Sequence, residues 1–99
     1  MATFVTLINF TDQGIRNIKD SPARFESFKA LVEAHGGKVK SVYYTQGNYD
    51  MIIIVEGDED AAMTANLTVA SLGNVRTQTL RGFSVEEMRS FISNMPIEL

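Results

Sequence analysis

The chain has 99 residues, a formal net charge of −3, no cysteine, and 44 % hydrophobic residues. This length makes one domain with a single modest core, and this apolar content excludes a disordered polymer. Nine scattered basic residues against twelve acids exclude a nucleic-acid surface of clustered Lys and Arg, and the lack of cysteine excludes disulfides, thiolate metal sites and a cysteine nucleophile. No apolar run approaches the roughly 20 residues of a membrane span. No basic segment followed by an apolar one opens the chain, so a cytoplasmic protein without a membrane partner is expected.

Ala2 to Phe10 reads as a strand with large apolar groups on both faces: Phe4, Ile8 and Phe10 on one, Val5 and Leu7 on the other. Thr11 is placed to cap a short helical turn anchored by Ile15 and Ile18, with Asp12 at the positive end of its dipole. Ser21-Pro22 predicts the start of a longer helix, serine as cap and proline at the first helical position. Phe25, Phe28, Leu31, Val32 and His35 then recur at helical spacing, and Gly36-Gly37 stops the helix. Lys38 to Glu56 has the pattern of a hairpin, two β-rich runs around the polar turn Gln46-Gly47-Asn48-Tyr49. Its second arm, Met51 to Val55, is apolar at every position, which predicts a strand covered on both faces. Gly57-Asp58-Glu59-Asp60 opens the next helix. Its acids are read first as capping groups suited to the helix dipole and second as a cation cluster. That helix carries Ala62, Ala65, Val69 and Leu72 on one face and ends at Gly73. Asn74 to Gly82 is a final, mixed strand. Ser84-Val85-Glu86-Glu87 is a capping box opening a terminal helix with Val85, Met88, Phe91 and Ile92, ended by Pro96.

The resulting order is strand, helix, strand, strand, helix, strand and a terminal helix. It predicts an α+β, ferredoxin-like βαββαβ fold with a four-stranded antiparallel sheet in the order 4-1-3-2. The two most apolar strands fall in the centre of that order, and the Lys-, Arg-, Thr- and Gln-rich strands fall at the edges. Helices cover one face of such a sheet, yet both faces of the central strands are apolar. A second copy stacked by a two-fold axis is the simplest cover, so a homodimer or higher homo-oligomer is expected.

From Gly36 onward the chain resembles the GYD domain family. The resemblance rests on Gly47-Asn48-Tyr49-Asp50, on Leu72-Gly73-Asn74-Val75-Arg76-Thr77 and on the segment Thr11 to Arg24. It spans nearly the whole chain and implies a single domain over residues 1–99 that pairs into a dimeric α/β barrel. It implies no reaction. The wider superfamily includes cofactor-free monooxygenases, isomerases, haem-handling enzymes and ligand-sensing modules, among which fold analogy does not choose.

Topology gathers Asn9, Gln46, Tyr49, Asp50 and Arg76 at one end of the sheet. Such a set suits a small polar ligand, with Asp50 as a general base or Tyr49 as a hydrogen-bond donor. The structural alternative has Asp50 capping the hairpin or pairing with Arg76. Tyr43 and Tyr44 point to opposite faces of their strand, where each lines a pocket or packs with its hydroxyl tied down. His35, the only histidine, suits either a base or ligand role or the negative end of its helix, and it lies at the far end of the sheet from Tyr49. One histidine and no cysteine fall short of the usual three metal ligands, so no metal site is expected. No phosphate-cradling loop, dinucleotide fingerprint or nucleophile elbow is present, so no cofactor is expected. Two functions remain. One is a homo-oligomeric small-molecule-binding or assembly module. The alternative is a cofactor-free enzyme, monooxygenase- or isomerase-like, whose substrate lies between sheet and helices and is read by Tyr43, Tyr49, Asp50 and Arg76.

Overall fold

The computed structural model describes residues 1–97. The elements are β1 (Ala2–Phe10), α1 (Asp12–Arg16), a 3-10 turn (Ile18–Asp20), α2 (Ser21–Ala34), β2 (Lys38–Tyr44), β3 (Met51–Gly57), α3 (Glu59–Ser71), β4 (Val75–Gly82) and α4 (Val85–Ser93). The strands form one antiparallel sheet in the order β2-β3-β1-β4. This is the predicted 4-1-3-2 order viewed from the other edge, with the two apolar strands central.

Register sorts the residues of β1 and its two neighbours, β3 and β4, onto two faces. Phe4, Thr6, Ile8 and Phe10 of β1 sit beside Met51, Ile53 and Val55 of β3 on the face that α2 and α3 cover. Phe28 and Val32 of α2, with Ala65 of α3, close the core above them. The opposite face carries Val5, Leu7 and Asn9, with Ile52 and Ile54 across β3, and Leu80, Gln78 and Arg76 across β4. These aliphatic side chains are only half-buried, apart from the exposed Leu80.

Three local expectations are corrected. Ile15 and Ile18 do not anchor this turn, being 55 % and 41 % exposed. Gly14 makes the contact instead, for a Cβ there would lie 2.0 Å from the Asn74 carbonyl oxygen, an approach only glycine permits. Ser21 does not cap α2. The cap position falls on Asp20 without a side-chain bond, Pro22 lies in the first turn, and the buried Ser21 hydroxyl meets the Tyr44 phenol at 2.9 Å. On α3 the buried alanines are Ala61 and Ala65, while Leu72 turns outward at 60 % exposure. The other caps form as predicted: Thr11 accepts from Gly14 N–H, Asp58 from Ala61 N–H, and Ser84 with Glu87 makes the complete capping box.

The terminal helix α4 keeps its apolar stripe but not a partner for it. Val85, Met88, Phe91 and Ile92 are all exposed. The helix rests on the body through an edge-on contact between Phe91 and Phe83, ring centroids 5.1 Å apart. Arg81 reinforces this junction from below, stacked 4.5 Å from the Phe83 ring centroid and 3.9 Å from the Glu87 carboxylate. No helix of the described residues is long and apolar enough to cross a membrane.

Candidate functional site

Two concave regions lie on opposite faces of the sheet. The first is a shallow depression on the open face, lined by Leu7, Asn9, Tyr49, Arg76, Thr77 and Gln78. Its geometry follows from strand register. Asn9 and Arg76 are direct cross-strand partners on β1 and β4, and Leu7 faces Gln78 one step along. Tyr49 arrives from the β2–β3 turn, in which Gly47 takes φ +114°, a conformation natural to glycine. The Tyr49 hydroxyl donates to Gln78 Oε1 at 2.9 Å.

Asn9, Tyr49 and Arg76 are therefore brought together. Asp50 takes the structural role. Its Oδ2 accepts from the Phe10 amide at 2.8 Å, its own amide donates to the Ile8 carbonyl at 2.8 Å, and its carbonyl accepts from Thr45 N–H at 2.9 Å. The carboxylate thus extends the β1–β3 pairing past the last ladder pair, where strand geometry leaves an amide without a carbonyl. Asp50 and Arg76 form no ion pair among the described residues. Gln46 stays in the loop and does not line the depression. Tyr43 shares the open face with Ile52 but stands outside the depression, while Tyr44 faces the helices. His35 is exposed beyond the C-terminal end of α2, its Nδ1 2.9 Å from the Leu31 carbonyl. It lies at the Gly37–Glu56 end of the sheet, away from Tyr49. Among the described residues no three His, Asp or Glu side chains converge as metal ligands.

The second region is a cavity of about 200 Å³ between the sheet and the helices. Its floor is Ile8, Phe10, Met51, Ile53 and Val75, and its walls include Phe25, Phe28 and Leu31 of α2 and Val69 of α3. The layers meet closely at the other end of the sheet, where a Cβ on Gly37 would lie 2.9 Å from both the Glu56 carbonyl and a Val32 methyl. They part near the start of α2 and the end of α3, where Val69 and the exposed Leu72 line the gap. The expected arrangement, a ligand here read by Tyr43, Tyr49, Asp50 and Arg76, is not the one observed: none of the four lines this cavity. A one-residue step along a strand changes face, which puts Asn9 and Arg76 on the open side while Ile8 and Val75 point inward. The polar groups that do line it are Thr6, Ser21, Arg24, Ser27, Asn66, Thr68, Asn74 and Thr77. Arg24 was findable. Ser21, Arg24, Phe25, Phe28, Leu31 and Val32 make one continuous i, i+3, i+4, i+7 stripe, and arginine occupies an inward position of it.

A ferredoxin-like α+β protein, covered by helices on one face of its sheet and bare on the other, is the class these features define. The chain belongs to the GYD domain family, whose model matches residues 4–92. It is 35 % identical over 91 residues to the glutamine synthetase and cystathionine beta-lyase binding protein of Thermus thermophilus, covering 89 % of this chain and 95 % of that one. A feast or famine regulatory protein from M. tuberculosis, solved with L-methionine, superposes with a TM-score of 0.64 at 20 % identity. That match covers 86 % of this chain but 52 % of the regulator, about half its length. TTHA0845, also of Thermus thermophilus, gives a TM-score of 0.54 at 24 % identity, over 86 % of this chain and 96 % of that one. At these identities the two structures share the fold with this chain.

Proposed function

We propose that the protein is a homodimeric binding module, paired through the open face of its sheet, with a small molecule held between sheet and helices and a partner protein docked on the assembled dimer. The observation that carries this reading is the composition of the open face. Ile54, Val5 and Leu80 form one cross-strand row, and Tyr43, Ile52 and Leu7 form the next. Six large apolar side chains in adjacent rows make a contiguous patch of the kind that marks an association surface. A two-fold copy covers it with itself and closes two sheets into a barrel. Asn9, Tyr49, Arg76 and Gln78 then lie at the polar end of the sheet–sheet space and set its register. The cavity between sheet and helices supports the small-molecule part. The name of the Thermus relative, a binding protein for two enzymes, supports the docking of a partner protein.

Sedimentation equilibrium at micromolar concentration tests the reading. The expected mass is twice the 11.0 kDa of the chain. A single 11 kDa species overturns it.

A further inference from the structure

Arg24 lines the cavity between sheet and helices and has no carboxylate partner among the described residues. Arg24 Nη1 donates to the Asn17 carbonyl at 2.9 Å, at the turn before α2. Its Nη2 is shut off from solvent and meets no acceptor among the described residues. The ion pairs of the described residues join Lys40 to Glu56, Arg81 to Glu87 and Arg89 to Glu86, and none includes Arg24. A guanidinium does not lose its proton in a protein, so the positive charge is permanent. Buried donors of this kind are normally satisfied, and one that is not calls for a partner the chain itself lacks, such as a water, an ion or a ligand atom.

A second donor stands beside it. Ser21 is one helical turn before Arg24 on the same side of α2, is 4 % exposed, and lies 2.9 Å from the Tyr44 phenol. When Tyr44 donates in that bond, the Ser21 proton is free to point into the cavity. Most of the remaining lining surface is apolar, and the other polar groups on it, Thr6, Ser27, Asn66, Thr68, Asn74 and Thr77, are uncharged. One cationic nitrogen and one hydroxyl against an aliphatic and aromatic body define an amphiphilic monoanion. A phosphate dianion is disfavoured because its second charge would be buried uncompensated. The volume, about 200 Å³, exceeds the roughly 150 Å³ apolar cavity that takes up benzene.

We propose that this cavity binds a small monocarboxylic acid with an apolar body of about phenyl size, its carboxylate on the Arg24 guanidinium and the Ser21 hydroxyl, its body against Ile8, Met51, Ile53 and Val75. The inference rests on the reading of the protein as a small-molecule-binding module and names the ligand class for it.

Phenylacetate and its neutral twin phenylacetamide, titrated into the full chain and followed by the backbone amide shifts of Ile53, Val69 and Val75, test both statements separately. The expected result is that the acid binds at least tenfold more tightly than the amide. Arg24→Gln removes that preference and Arg24→Lys keeps part of it. Equal binding of acid and amide to the native chain, or undiminished binding of the acid to a folded Arg24→Gln variant, overturns the role of Arg24 and leaves the cavity as a ligand site. No shift at the cavity amides with either probe at tens of millimolar overturns the ligand class and the small-molecule reading together. The acid–amide comparison on the native chain decides the question even where the Gln variant fails to fold.

Discussion

At the scale of single residues, the GYD turn shows how a motif serves architecture before chemistry. Gly47 supplies the positive φ, Tyr49 crosses to Gln78, and Asp50 turns back to hold the Phe10 amide. A carboxylate receiving a backbone N–H makes a charge-assisted bond, and removing it leaves a partly buried donor unmet. Asp50→Ala is therefore expected to lower stability by about 1–3 kcal/mol, read as a shift in the urea midpoint at unchanged slope. Asp50→Asn retains an acceptor and loses the charge, so its loss is smaller. A chain indifferent to both substitutions would show that this bond contributes nothing.

Among the elements, α4 is held least by packing and most by its own end. Nine residues are too few for an isolated helix to persist in water. Its start is fixed by the reciprocal bonds of Ser84 and Glu87, each 3.0 Å. The hydrogen bond from the Ser84 amide draws the Glu87 carboxyl below its ordinary 4.5; desolvation opposes it, and the Ser84 hydroxyl and the Arg81 charge add to the lowering. A carboxyl whose pKa is lower folded than unfolded stabilises above its unfolded pKa, and that contribution disappears as pH falls through the folded value. Acidification below the ordinary glutamate range is thus expected to fray the first turn of α4 while the sheet persists. The Glu87 and Met88 amide chemical shifts would report it. Glu87→Gln keeps an acceptor for the Ser84 amide and should flatten that pH dependence. The same titration curve in the variant would assign the fraying to another group.

For the whole molecule, the governing asymmetry is one sheet with two apolar sides and helices enough for one. A charge on the open face tests what covers the other. Leu7 is half-buried in the single chain and central in the patch. Glutamate there reaches water in a monomer, whereas in a sheet-paired dimer it is buried without a partner. Leu7→Glu is expected to sediment as the 11.0 kDa chain with an unchanged far-ultraviolet circular dichroism spectrum. A dimer that survives this change is not built on this face.

Much of this was legible in the residues themselves. Strand order follows from the apolar runs Ala2–Phe10 and Met51–Val55, because only central strands need large side chains on both faces. The caps at Thr11, Asp58 and Ser84 are local chemistry, decided within three or four residues, and so are readable without neighbours. The gathering of Asn9, Tyr49 and Arg76 also follows from topology. The side of the sheet they occupy does not, for it depends on register between strands far apart in the chain. The cavity was hidden for the same reason. Whether Leu72 fills a gap or turns to water depends on how α3 meets a helix some forty residues earlier. Arg24 stands on the inward stripe of α2, but that one of its nitrogens is left without an acceptor shows only when α2 is laid on the sheet. Local pattern fixed the elements and their ends; packing between distant segments alone decided which side chains enclose space and which charge was left inside it.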